Sequence, residues 1–249
     1  MKKILFFLLV QGLTLAAYAQ DATIKDAEVA YTKEDYGKAI ELYEGVLKTS
    51  GASPEIYYNL GNAYYKAGKV APAILNYERA LALDPGDGDI RFNLSMARQM
   101  TVDKIEPIDK FFLSKWIAAV RNIGSVDSWA NTGIVCFILF IGCVALFFFS
   151  RHIRLKKVGF FLGAVLLIAV VVSNVFAKNQ KNELVNHSHA IIFAPTVTVK
   201  SSPDASGTDL FVLHEGTKVS IKSTLGEWSE IVLEDGNVGW MPTKDIETI

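Results

Sequence analysis

Cysteine is nearly missing from this chain: there are two in 249 residues, Cys136 and Cys143. Both lie inside one long apolar run. The rest of the chain therefore holds no thiol for nucleophilic chemistry and no disulfide framework. Seven residues apart on a helix, the two would share a face but stand about 10 Å apart along the axis, too far to bridge each other. They read as small apolar residues at a helix interface, or as a link between two chains. Histidine is scarce as well. His152 sits in a basic turn, His187 and His189 in a polar linker and His214 at a turn. No Cys or acidic pair stands at ligand spacing from His187-Ser188-His189, so no metal site is expected. There is no glycine-rich phosphate loop and no catalytic set, so neither a cofactor nor an enzymatic activity is expected. Basic patches are missing too. Residues 21–100 carry nine Lys/Arg against twelve Asp/Glu, and residues 190–249 carry four against nine. Acidic segments of this kind argue against nucleic acid as a partner.

Charge itself is absent from two stretches. Ala130–Phe149 and Val158–Ala177 contain no ionisable acid or base other than the two thiols. Each is long enough to form a helix of about 30 Å, the thickness of a bilayer's hydrocarbon core. We expect transmembrane helices over 129–150 and 158–178. Between them RHIRLKK, Arg151–Lys157, packs four Lys/Arg into seven residues. Short positive loops stay in the cytoplasm, so both flanking segments are expected on the far side. A third apolar run reads as an export signal over 1–19. MKK supplies its positive start and Ala17-Tyr18-Ala19 its cleavage site. The rival reading is an uncleaved anchor, which gives the same topology. No mid-span charge marks a transport path.

What the chain does have is a repeat. Tyr31, Ala39, Ile40, Tyr43, Glu44 and Leu47 recur as Tyr65, Ala73, Ile74, Tyr77, Glu78 and Leu81, an offset of 34 residues. That period points to tetratricopeptide helix pairs. The second copy resembles the family closely, with Tyr57, Leu60, Gly61, Tyr64, Ala73, Tyr77, Ala80 and Pro85 at its signature positions. Units are expected over 20–53 and 54–87, with a partial third over 88–104. The first copy departs from the pattern at Asp26, Ala27 and Ala30. Such units stack into a curved array with a concave binding face. The resemblance implies that Tyr58, Asn59 and Asn62 line that face, and Asn93 repeats Asn59. An amide both donates to and accepts from an extended backbone, which makes Asn59 and Asn93 the leading partner contacts. The family's carboxylate clamp is not expected, because Ile24, Glu28 and Asp89 stand where its cations and amide would be.

Ile108, Phe112, Trp116, Val120 and Ile123 recur at helical spacing. We expect a juxtamembrane amphipathic helix over 105–128, lying at the membrane surface or packing on the repeats. Gly159-Phe-Phe-Leu-Gly163 allows close helix approach, between the two spans or with a partner. After a linker over 179–189, short β-branched runs begin at residues 190–193 and 196–200, and four more follow to Met241. They are separated by turns at Gly216, Gly226 and Gly236. VTVKSSPD, LHEGTKVSI, GEWSEIVLEDG and GWMPTKDI resemble a bacterial SH3-type domain, so a small all-β barrel is expected over 190–249. Lys200 replaces a commoner Arg in that pattern. Trp228 and Trp240 could line a groove for a peptide or a cell-wall strand, or complete the barrel core.

The expected fold is thus multidomain: an all-α tetratricopeptide array, two transmembrane helices and a C-terminal SH3-like barrel. In this order, and with DKIEPIDKFFLSKW leading to the membrane, the chain resembles the aerotolerance operon E-type (BatE) proteins of Bacteroidetes. The resemblance implies an inner-membrane complex linked to oxidative stress or envelope integrity. Its implied partners are von Willebrand A-domain proteins and other membrane proteins of such an operon, with a MoxR-type ATPase nearby. The expected function is a membrane-integrated interaction scaffold. A peptidoglycan-binding envelope sensor is the alternative, and an accessory subunit of an enzyme complex is a third.

Overall fold

The computed structural model describes residues 24–109, 111–186 and 188–249. The expected export signal with its Ala17-Tyr18-Ala19 site lies outside them, as does His187. The described chain forms two compact units. One comprises the residues up to Leu81 with Asp87–Ile108 and Ser188–Ile249; the other comprises Ala82–Gly86 and Asp109–His187.

The first unit begins with helices α1 (24–32), α2 (Tyr36–Ser50), α3 (Pro54–Lys66), α4 (Val70–Leu83) and α5 (Gly88–Gln99). Local chemistry sets their starts. Asp35 accepts from the Lys38 N–H, Ser53 from Ile56 with Pro54 in the first turn, and Asp87 from Asp89 and Ile90. Each thereby satisfies amides that a helix N-terminus leaves free. Inside the array, Ala27, Ala39, Tyr43, Val46, Leu60 and Ala63 form one core. A second joins Ala73, Ile74, Tyr77, Leu94 and Ala97. Gly61 lies against the Tyr77 ring so closely that a Cβ would sit 2.7 Å from it. Glycine is required there by contact, not by backbone conformation. Tyr43 is fully buried, and that burial pushes its phenol pKa up to about 12, with Glu28 and Glu55 adding to it.

The same unit contains seven strands: β1 (His189–Ile192), β2 (Thr196–Lys200), β3 (Asp209–His214), β4 (Lys218–Leu225), β5 (Trp228–Val232), β6 (Val238–Pro242) and β7 (Ile246–Thr248). They form one sheet, ordered β3-β2-β6-β5-β4-β1-β7, in which every pairing is antiparallel. The glycines anticipated at the turns, Gly216, Gly226 and Gly236, all have positive φ. The inner face buries Val197, Val199, Leu213, Val219, Ile231 and Met241.

Sheet and repeats share a core. Ile191, fully buried, belongs to the cluster of Ile74, Tyr77 and Leu94, with Ile249 packed against it. Burying one isoleucine completely stabilises by about 1.5–3 kcal/mol. Polar contacts reinforce the join. The carboxylate of Glu78 on α4, 4% exposed, accepts from Arg98 on α5 and from Lys218 on β4 at 2.8 Å. Arg79 donates to the Thr248 carbonyl at 2.6 Å and to Glu247 at 3.2 Å. Asp103, just past α5, accepts from the His214 N–H, the His214 ring and the Thr217 hydroxyl at 2.7, 2.8 and 2.6 Å. Ile105 then packs against the sheet core, and the Ile108 N–H donates to the Glu234 carbonyl at 3.0 Å.

The second unit holds α6 (Phe112–Arg121), α7 (Val126–Phe149) and α8 (Ile153–Asn186). Two of the expected boundaries shift. No helix begins at residue 105: the chain stays non-helical to residue 109, because Pro107 disfavours helix before it and Ile105 and Ile108 are engaged by the sheet. The expected helix over 105–128 is therefore two helices, broken at 122–125. At the other end, α8 runs through the expected linker to Asn186. Its Gln180 is buried and donates to the Arg121 and Gly124 carbonyls at 3.1 and 2.9 Å. Gly159 and Gly163 face α7: a Cβ on Gly159 would lie 2.8 Å from the Cys143 carbonyl, and one on Gly163 3.4 Å from the Cys143 Cβ. The glycine pair thus packs the hairpin together. Both α7 and α8 are long and apolar enough to cross a membrane.

Candidate interaction surfaces

Two surfaces hold the residues singled out from the sequence. The first is built on α1, α3 and α5, the leading helices of successive units. Asn59 lies on α3 in a depression of about 420 Å³ that it shares with Ile24, Lys25, Glu28, Glu55 and Ile56. Its amide makes no side-chain hydrogen bond among the described residues. Asn62 and Asn93 are differently placed. The Tyr77 hydroxyl donates to Asn62 Oδ1 at 2.7 Å, and Asn93 Nδ2 donates to the Tyr58 hydroxyl at 2.7 Å and to the Asp89 carbonyl at 3.1 Å. Tyr58 and Asn93 thus link α3 to α5, although the structure leaves both half-buried. Of the four residues, Asn59 is the one whose polar groups stay uncommitted.

Sequence reasoning missed an apolar row beside them. Phe92 and Met96 on α5 and Met100 at its C-cap recur every four residues and are all exposed, Phe92 at 63%. Phe92 and Met96 stand 34 residues after Tyr58 and Asn62. The buried side of α5 is carried by Ile90, Leu94 and Ala97, so the helix is apolar on two faces. The signal was present as a second helical series in DIRFNLSMARQM, masked by the core series. Ile24, Glu28 and Asp89 put no cation at the clamp positions, and Glu55 adds a further carboxylate to the depression.

The second surface is the outer face of the sheet. Alternation along β5 and β6 buries Ser229, Ile231, Gly239 and Met241 and turns Trp228, Glu230, Trp240 and Pro242 the other way. Neither tryptophan belongs to the buried cluster on the inner face of the sheet. A side chain at Gly239 would put its Cβ 2.4 Å from Val199, so the core has no room for a large ring there. Trp240 pairs with Glu230 on one side and Lys200 on the other; Trp228 pairs with Pro242. Glu230 accepts from Lys222 and Ser223 at 2.8 Å each, and those bonds hold its carboxyl below the usual range. Lys200 donates to Asp209 at 2.7 Å and to the Gly207 carbonyl at 3.1 Å. The result is two half-buried rings bordered by fixed charges of both signs.

Two of the histidines have structural partners: His214 the Asp103 carboxylate, and His189 the Ser220 hydroxyl at 3.1 Å. Among the described residues, no three metal-ligating side chains converge.

Comparison with known families bears on the first surface. Residues 54–87 match the family described as tetratricopeptide repeat, and residues 28–68 match an overlapping family described as TPR repeat. The helical array is built of tetratricopeptide repeats. A solved structure similar to the chain is that of the Sgt2 TPR domain from Aspergillus fumigatus. It has 17% sequence identity and a TM-score of 0.32, and the match covers 67% of this chain and 81% of that one. No curated protein matches the chain. Tetratricopeptide repeats are protein-interaction modules.

Proposed function

We propose that the chain is a non-enzymatic, membrane-anchored interaction scaffold. Its repeat array and its SH3-like sheet stand together on the outer face of a bacterial inner membrane, and the RHIRLKK turn stays in the cytoplasm. One observation carries this reading. A single compact unit is assembled from chain that precedes and chain that follows an insert with two membrane-length helices. Two crossings return the chain to the side it left, so shared packing of Ile191 with Ile74 and Tyr77 is compatible with an anchor of two spans and not with one. The positive turn supports the orientation. Order and composition of the parts support a role like that of the aerotolerance operon E-type proteins, with von Willebrand A-domain membrane proteins as partners. Asn59, with Tyr58, Asn62 and Asn93 around it, is the proposed contact.

Single cysteines at Lys48, Lys156 and Glu234 test the topology in cells whose outer membrane admits a membrane-impermeant maleimide. The outcome expected is labelling at 48 and 234 and protection at 156; labelling of only one of the first two ends the proposal. Co-purification with and without Asn59→Ala tests the contact, and unchanged recovery of every partner removes Asn59 from it.

A second reading, an envelope sensor for peptidoglycan, is favoured by the outward Trp228 and Trp240. Sugar rings stack on such side chains, and the flanking Lys200 and Glu230 offer hydrogen bonds. Because the sheet shares its core with the repeats, the whole detergent-solubilised protein is the right probe. Retention on isolated peptidoglycan that Trp240→Ala abolishes supports the sensor; no retention by the native chain removes it.

A further inference from the structure

We infer that α6 lies in the membrane interface as an amphipathic helix, its apolar face set into the boundary between headgroups and acyl chains. The inference rests on the anchoring reading above and adds a second, lateral contact with lipid. Four observations carry it. First, none of the residues of α6 is buried, and its two aromatic side chains are open, Phe112 at 72% and Trp116 at 66%. Second, these residues are ordered. Phe112, Trp116 and Val120 follow one another at four-residue steps with Leu113 and Ile117 beside them, while Ser114, Lys115 and Arg121 fall on the other side. Large aromatic rings on one face and cations on the other are the pattern of helices that lie on membranes rather than cross them.

Third, the helix is tied to the end of the hairpin away from its positive turn. The Trp129 indole N–H donates to the Arg121 carbonyl at 2.7 Å, Gln180 donates to the same carbonyl and to Gly124, and the Arg121 guanidinium meets Glu183 at 2.7 Å. Fourth, these polar groups begin where the apolar stretches of α7 and α8 stop, so two crossing helices would carry them at headgroup depth. A ten-residue helix held there has lipid as its immediate neighbour. Lys115, paired with Asp109 at 2.7 Å, keeps its charge on the polar side of the helix, and Trp116 suits the interface because its ring is apolar while its N–H is a donor.

Spin labels on the whole protein in lipid nanodiscs test this. In a background with Cys136→Ala and Cys143→Ala, single cysteines replace Phe112, Trp116, Lys115, the span residue Leu139 and the helix-surface residue Lys48. Collision rates with oxygen, which concentrates in lipid, and with a nickel chelate, which stays in water, are then compared. The expected oxygen-to-nickel ratio at 112 and 116 is several-fold above that at 115 and 48, and below that at 139. Ratios at 112 and 116 equal to that at 48, with 139 in lipid, overturn the inference and leave the anchor standing. Labels at 112 and 116 shielded from both reagents also overturn it, in favour of a protein contact. A nickel-accessible label at 139 removes the anchor and the inference together.

Discussion

Glu34 is the non-glycine residue with positive φ among the described residues, at 62°. It stands 34 residues before Gly68, whose φ is 74°, so both repeats turn between their helices through the same left-handed position. A non-glycine residue there costs about 1–2 kcal/mol, partly offset because glycine loses about 0.5–1 kcal/mol more chain entropy on folding. Glu34→Gly should therefore raise stability by about 0.5–1 kcal/mol, seen as a higher thermal midpoint in detergent. Gly68→Ala should lower it. The 34-residue register made the equivalence of these two turns legible; the strain at Glu34 was not, since nothing in a glutamate announces positive φ. Asp103 was less legible still. Its partners His214 and Thr217 lie 111 and 114 residues away. Burial alone would raise the Asp103 pKa, but the hydrogen bonds from Thr217 and His214 outweigh it and hold the carboxyl below the usual range. Glu78 is held low in the same way: Lys218 and Arg98 beside it overcome its burial. Depressed carboxyls stabilise the fold above their ordinary pKa and lose that contribution as pH falls through the folded value. Asp103→Asn should cost about 1–2 kcal/mol at neutral pH. Its deficit relative to the native chain should close as the pH drops below about 4, a convergence that paired thermal melts would detect.

At the scale of elements, the sequence spoke most clearly where one periodicity ruled. Helices α3 and α4 and the strands from β1 to β6 fall close to their expected places, because alternation and glycine turns are local signals. Residues 105–109 misled for a physical reason: Ile108 opens a helical series, yet its N–H is taken by Glu234 in the turn after β5 and Ile105 packs on the sheet core, and both partners lie far along the chain. The tail of α8 misled oppositely, since a polar KNQKNELVN reads as linker until Gln180 is seen to hold the Arg121 and Gly124 carbonyls. GxxxG left two readings open, and the hairpin takes one of them. Here a sharp outcome is expected. The 3.4 Å between a Gly163 Cβ and the Cys143 Cβ lies at the short edge of the disulfide range, about 3.5–4.5 Å. Gly163→Cys, combined with Cys136→Ala, should form an intrachain disulfide with Cys143 under mild oxidation. Trypsin cutting at Arg151 or Arg154 would then leave one fragment pair that parts only on reduction. Adding Gly159→Leu, which thrusts a side chain at the Cys143 carbonyl 2.8 Å from the glycine's Cβ position, should suppress the cross-link.

For the whole molecule, the shared core changes what counts as a module. Read along the chain, the repeats and the sheet are separate domains at either end of a long apolar helical hairpin. In the folded protein they are one unit, and the hairpin is an insertion into it. A short repeat array is weakly stable by itself, since each unit needs a neighbour to cover its apolar face. Here the sheet supplies that cover: Ile191 and Ile249 close the cluster around Tyr77 and Leu94, and Lys218 completes the hydrogen bonds of a carboxylate that would otherwise be buried against α5 with Arg98 alone. The domain order in the sequence could not reveal this, because the residues that meet carry no pattern until the sheet is folded. The consequence is a test on a soluble protein. Replacing residues 109–187 with a flexible Gly/Ser linker of about 20 residues, whose ends average about 25 Å apart, should give a folded monomer. It should unfold in one cooperative step when followed both at Trp228 and Trp240 in the sheet and by helical circular dichroism from the repeats. Glu78→Ala should move both signals together by about 2 kcal/mol, because Arg98 and Lys218 lose their common acceptor. Two separated transitions, or a shift in the helical signal alone, would mean that sheet and array fold independently and that only the helical hairpin holds them side by side.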